Sequence, residues 1–254
     1  MARNLEVNER VWVPSYLLPG GARLPYAIFQ TKVVERLSRR VRVQLPNGES
    51  STPLSTSKVH RDIAICLLSV GDFSTEDNLI APLSKSALQY CRLLLPDDHI
   101  ASVRIRAMGE LVQWWIRNQA AYTHIILIGH GTRTGITFGV GGERSAEHFQ
   151  RRLTGLDARS KIFVSLCCET GRAPFASRFS AIPSCESLIA PFQAVHGATA
   201  LRFLQAFLAA HLLQAESTTV AFKSANSALP ARDCFRLWRR SQLVAGKGAI
   251  KTAR

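Results

Sequence analysis

The chain has 254 residues, 46% of them hydrophobic and 20% charged, which excludes wholesale disorder and leaves room for one large α/β domain or a small module plus a medium one. With 32 Lys and Arg against 18 Asp and Glu the net charge is +14, a balance that favours polyanions or else marks a solvated basic surface on a protein in an assembly. The most apolar stretch, Ala200 to Ala215, carries Arg202, Gln205 and His211 and is a poor membrane span, and Met1-Ala-Arg-Asn-Leu-Glu has no apolar leader region. The expectation is a soluble, cytoplasmic protein that does not engage a membrane.

Residues 1–60 read as short strands. Arg10-Val-Trp-Val-Pro opens with an apolar run, and Ala27 to Arg36 is β-rich. Arg40-Val-Arg-Val-Gln-Leu then alternates strictly before the turn signal Pro46-Asn-Gly. So many short strands in so few residues predict a small all-β, SH3- or tudor-like barrel module. From Asp62 strands alternate with helices. Ile63 to Val70 is a continuous apolar run, as in a buried parallel strand, and Thr75 to Leu95 is helical in period. Ala101 to Arg106 reads as strand, Met108 to Asn118 as helix, and His124 to Gly129 as the next buried strand. Ser145 to Leu153 reads as helix and Lys161 to Leu166 as strand. Ser187 to Val195 gives a fifth strand, followed by a helix over Ala198 to Leu213. This succession predicts an α/β fold over residues 61–254, a mostly parallel sheet flanked by helices. The basic segment after Trp238 reads as a frayed tail.

Six cysteines form no CxxC pair, which fits free thiols in a reducing compartment, and no metal-ligand spacing supports zinc. Cys66, Cys91 and Cys167 read as small buried hydrophobes, whereas Cys185, in a Ser/Pro-rich loop, reads as an exposed, oxidisable thiol. In open α/β sheets reactive groups gather beyond the C-terminal ends of strands. Two such ends carry chemistry: Gly129-His130-Gly131, and Cys167-Cys168-Glu169-Thr170-Gly171. A thiol of ordinary pKa is only about 3% thiolate at neutral pH, so an imidazole on a neighbouring strand matters for nucleophilic attack. The glycine after the histidine allows a backbone N–H to approach a substrate carbonyl. No P-loop or G-x-S-x-G elbow is present, and the glycines around His130 are followed by extended chain rather than a helix, against a dinucleotide loop.

Strand-His-Gly followed by strand-Cys-Glu-Thr-Gly resembles the caspase-like cysteine peptidases of clan CD, especially their CHAT-type bacterial branch. Their active-site strand typically ends in a Leu-Ser-Ala-Cys-Glu-Thr-Gly-like run. This chain has Val164-Ser165-Leu166-Cys167-Cys168-Glu169-Thr170-Gly171, with one residue more between Ser and the Cys-Glu-Thr-Gly segment. The resemblance covers about Asp62 to Leu213. It implies a caspase-like sheet, Cys168 as nucleophile, His130 as base, and the backbone N–H groups of Gly131 and Cys168 as oxyanion donors, with no cofactor and no metal. It also implies a protein substrate, an activating partner, and a regulated role in bacterial defence or stress, including antiviral defence. Pocket walls in such proteins follow the first strand, the cysteine and the fifth strand. Asp72 is thus a candidate for receiving a basic P1 side chain, Arg133 for an acidic one, and Glu186 and Phe192 are further wall candidates. Asp72 could equally cap the helix near Thr75, and Glu169 the helix that follows it. The residues leave two rivals open: a catalytically silent, basic adaptor of the same fold that binds protein or nucleic acid, and an acyl-transfer or hydrolytic enzyme that uses the same dyad on non-peptide substrates.

Overall fold

The computed structural model describes residues 5–75, 77–153, 159–229 and 234–249. Strands β1 (Arg10–Pro14), β2 (Ile28–Leu37), β3 (Arg40–Val43) and β4 (Leu54–Ser55) form an antiparallel sheet in that order. Side chains alternate across a strand, so Val11 and Val13 meet Val33, Val41 and Val43 in a small core closed by Leu5, Leu18, Leu54 and Val59. The other face turns Trp12 and Ile28 into the main core of the protein. Within the N-terminal part Trp12 and His60 exchange N–H···O bonds of 2.7 and 2.9 Å, and a backbone bond from Ala27 N–H to the Leu93 carbonyl, at 3.1 Å, joins it to the rest. Trp12 also packs edge-on against His99, ring centroids 4.5 Å apart.

The proposed division near residue 60 has a measurable consequence. Deleting residues 1–60 should leave the α/β part folded but weaker by roughly 3–6 kcal/mol, the burial value of two large apolar side chains. The urea midpoint reads this loss. A midpoint equal to that of the full chain would mean that Trp12 and Ile28 add nothing to the main core.

Seven strands build the main sheet: β5 (Ile65–Val70), β6 (Ile100–Ile105), β7 (His124–Gly129), β10 (Lys161–Ser165), β11 (Cys185–Pro191), β12 (Phe235–Arg239) and β13 (Gln242–Gly246). Their spatial order is β13-β12-β11-β10-β7-β5-β6, parallel from β6 through β11 and antiparallel at β12 and β13. The fold is therefore mixed α/β around a mostly parallel sheet. Strands β5, β7 and β10 are almost continuously apolar because helices cover both faces. Helices α1 (Asp77–Leu94), α5 (Gly197–Leu208) and α6 (Thr218–Ser227) close one face over Ile65, Leu67, Ile126, Ile128 and Val164. Helices α2 (Met108–Asn118), α3 (Ala146–Leu153) and α4 (Ala173–Phe179) close the other over Leu68, Ile125, Leu127 and Phe163. A two-stranded hairpin, β8 (Gly135–Phe138) with β9 (Gly142–Ser145), rises after β7.

Two sequence expectations need correction. The segment after Trp238 is not a frayed tail: β12 and β13 form a hairpin on the edge of the main sheet, and the Trp238 indole is buried. Its turn residues, Arg240 and Ser241, both take positive φ (45° and 65°), the geometry of a two-residue hairpin turn normally announced by Asn-Gly. Cys185 is not exposed either. It is 4% accessible, opens β11 in the core, and burial pushes its thiol pKa up.

Candidate active site

The pairing of β7 with β10 brings the two chemical segments together. Ser165 lies opposite Leu127, and just beyond the strand ends Gly131 packs against the loop of Cys167, Cys168 and Thr170. Face follows from parity. Along β7, Ile126 and Ile128 point to the α5 side while Ile125 and Leu127 point away, and His130 follows the last strand residue, Gly129. After β10, Leu166 faces the α5 side and Cys167 the opposite core, and Cys168 returns to the α5 side. There its Sγ lies 3.5 Å from the Val195 N–H and 3.7 Å from the Val195 carbonyl, just ahead of α5.

The adjacent cysteines are thus chemically unlike. Cys167 is fully buried, and desolvation pushes its thiol pKa up to about 12. Cys168 is half-buried, with its sulfur at the sheet edge. His130 is also half-buried, and its carbonyl accepts a 3.0 Å bond from Thr137 N–H, which ties it to the β8–β9 hairpin.

The loop carrying Cys168 is braced from beneath. Thr170 Oγ1 donates to the Cys167 carbonyl at 2.8 Å, which leaves it to accept from Ser165 Oγ, also at 2.8 Å; Ser165 Oγ in turn accepts from Cys167 N–H at 3.2 Å. Ser165 and Thr170 are both inaccessible to solvent, so this closed network satisfies groups that would be costly to bury unpaired. Glu169 sits at φ 57°, in the left-handed region, with its N–H on the Gln193 carbonyl and its carboxylate 3.0 Å from Arg172 Nε. It does not cap α4, whose N-cap is Arg172. The Trp238 indole donates to the Gly171 carbonyl at 3.0 Å, so the far hairpin pins the end of this loop. Ser165, Thr170 and Trp238 had no assigned role in the sequence, although the Ser-x₄-Thr spacing around the cysteines was visible.

Gly131 lies against this loop. A Cβ there would stand 2.7 Å from the Cys168 carbonyl oxygen, 2.7 Å from Thr170 Cγ2 and 2.8 Å from Cys167 Cβ, so only glycine fits without a shift. The antiparallel bridge from Gly131 to Ile136 is made by its neighbours, Thr132 N–H to Gly135 O and Thr137 N–H to His130 O. Among the described residues neither the Gly131 N–H nor the Cys168 N–H has an acceptor.

The wall candidates separate. Asp72 stands beyond the C-terminal end of β5, where Gly139 of the hairpin packs on its backbone. Its carboxylate accepts from the Ser74 hydroxyl (2.6 Å) and amide (3.1 Å), with Arg106 at 3.8 Å, and the Ser74 hydroxyl first of all holds it below the usual carboxylate range. It therefore caps its own turn. Arg133 is exposed in the β7–β8 turn, between Thr132 and Thr134, whose hydroxyls bind Glu143. Phe192 follows β11 at the same edge as Cys168, next to Gln193, with the Arg236 guanidinium 4.3 Å above its ring. Glu186 is a correction: it lies near the start of β11, at the opposite edge of the sheet, with Ser160 and Arg239, and cannot form a wall beside Cys168. The sequence strand was placed from Ser187 to Val195, which left the polarity of Glu186 within it undefined.

No family model matches the chain and no curated protein matches it significantly. Among solved structures it is similar to a secreted C11 cysteine protease from Bacteroides thetaiotaomicron in complex with an irreversible peptide inhibitor, at 9% identity and a TM-score of 0.45. The match covers 65% of this chain and 58% of that one, so this chain spans less than two thirds of that protease.

Proposed function

We propose that the protein is a caspase-like cysteine peptidase with a His130–Cys168 dyad. What supports this reading is the pairing of β10 with β7, which leads the Gly129-His130-Gly131 and Cys167-Cys168 segments to the same C-terminal sheet edge, where Gly131 packs on the Cys168 loop and the Cys168 thiol is half-buried. Transfer of the Cys168 proton to His130 frees the thiolate to attack a peptide carbonyl carbon. The resulting oxyanion accepts from the Gly131 and Cys168 N–H groups, whose lack of internal acceptors supports this role. Collapse expels the amine, which takes the proton from His130 and leaves a thioester. Water then gives a proton to His130 as it attacks the thioester, releasing the acid and restoring the thiol.

The finer reading follows the Cys168-Glu169-Thr170-Gly171 resemblance: a CHAT-type peptidase of the bacterial cytoplasm, switched on by a partner in a defence or stress response. The N-terminal sheet then serves as an SH3- or tudor-like recruiting module, and the +14 charge favours a nucleic-acid or other polyanionic neighbour. A panel of peptidyl acyloxymethyl ketones with acidic, basic and apolar P1 residues, read by mass spectrometry, tests the activity. The expected adduct is on Cys168. Labelling confined to other cysteines, or none across the panel, overturns it.

Gly131→Ala provides a geometric check. The added methyl would push the loop away from Cys168 and misplace an oxyanion donor, which should lower turnover about 10²-fold. Unchanged turnover would remove Gly131 from the chemistry.

A further inference from the structure

At the edge of the sheet opposite Cys168 a cleft of about 880 Å³ runs between the end of the N-terminal sheet and the α/β body. Three histidines from three elements meet there: His60 from the segment leaving the N-terminal sheet, His124 from the start of β7, and His211 from a π-helical turn, Ala209–Leu213, that extends α5. The His124 and His211 ring centroids are 5.4 Å apart, and those of His60 and His211 6.2 Å. His60 and His124 are buried. His124 Nδ1 lies 2.9 Å from Thr123 Oγ1, while its Nε2 is out of contact with solvent and has no partner. The spacing is not that of a metal site among the described residues.

The same residues fasten the two parts of the protein together. His60 Nε2 donates to the Leu212 carbonyl at 3.0 Å, Lys58 Nζ donates to the Gln214 carbonyl, and the Lys58 ammonium lies 3.8 Å from Glu216. His211 Nδ1 donates to the Glu216 carbonyl at 2.7 Å. The turn they hold is an uncommon one: π-helical, and ending at Ala215 with φ 54°. The backbone of His60, in turn, is bonded on both sides to Trp12.

We infer that this histidine cluster is an acid-sensitive latch, holding the N-terminal sheet on the α/β body while His124 is neutral and releasing it when His124 takes up a proton. A second proton on His124 would add a buried N–H with no acceptor at one ring nitrogen, beside two further imidazoles. Burial, and then the proximity of His211 and His60, holds the His124 pKa well below the ordinary value of 6.5. The docked state therefore binds fewer protons than the released state, in which His124 is hydrated and ordinary. Docking is complete above about pH 6.5 and weakens as the pH falls below it, until the depressed pKa is reached. The charged groups facing the cluster do not reverse this sign. Glu216 is paired with Lys58 and Asp62 with Arg159, Glu186 is exposed, Arg61 is held by Glu9, and Arg239 donates to Ser187. Lys58, Arg61 and Arg239 oppose any added positive charge.

This inference does not depend on the peptidase reading, and its test does not measure activity. Amide hydrogen exchange of the full chain is followed between pH 7.5 and 5.0, with intrinsic exchange divided out. Protection at the docking amide of Ala27, which bonds the Leu93 carbonyl across the two parts, should fall by about tenfold per pH unit below 6.5, the slope for one differentially bound proton. Protection at Val33 N–H, which bonds Glu9 inside the N-terminal sheet, should hold, marking release rather than unfolding. In His124→Phe, or in His211→Phe if the first overpacks, the fall should shrink. Constant protection across the range overturns the latch. So does an equal fall in both variants, which would assign the acid response to another group, such as His99 beside Trp12.

Discussion

Cys168→Ala should abolish peptide hydrolysis, lowering turnover by roughly 10⁶-fold, the order lost when an acyl-transfer enzyme loses its nucleophile. Folding should be intact, because among the described residues the half-buried sulfur has hydrogen-bonding contact with the Val195 backbone alone. Cys167→Ala provides the contrast. Its sulfur lies in the core with Phe175 and Phe163, so the change should cost on the order of 1 kcal/mol of stability and leave turnover near that of the wild type. Turnover with a fluorogenic peptide, together with thermal melting of both variants, separates the two. If Cys167→Ala is inactive and Cys168→Ala active, the nucleophile is displaced by one residue and the parity argument fails with it.

His130→Ala comes second in magnitude, with an expected loss of about 10² to 10⁴ in turnover, the usual span for a positioned acid–base group. The variant keeps the thiol and the oxyanion donors, so it should still be alkylated at Cys168, though more slowly than the wild type at neutral pH. The backbone should be unaffected, since the anchoring bond from Thr137 runs to the His130 carbonyl and not to its ring. Turnover and iodoacetamide labelling at pH 7 check both halves. Equal turnover in the variant excludes His130 as the base. A wild type that neither turns over peptides nor labels faster at Cys168 than His130→Ala does favours the adaptor of the same fold.

What was legible and what was not divides along physical lines. Strands β5, β7 and β10 were read from their apolar runs because a parallel strand covered on both faces has no other composition open to it. Helix α2 was read to the residue from its apolar period, and the chemistry-bearing ends of β7 and β10 follow from where such strands stop. The β12–β13 hairpin was missed because its turn is built from Arg240 and Ser241, which carry none of the usual turn signature. Helix α4 was anticipated only as a helix after Glu169, without bounds, because its seven residues are too few to show a period.

By itself, the sequence determined the alternation of elements and the order of the two candidate segments, since these depend on local composition and on the direction of each strand. Only the tertiary structure decided which cysteine reaches the edge, because that rests on the register of β10 with β7 and on the parity of three residues beyond the strand. It also placed Glu186 at the wrong edge for a pocket wall, and brought His60, His124 and His211 together from positions far apart in the chain. Such contacts are set by packing between elements, and no local pattern encodes a distance between segments that meet only after the sheet has closed.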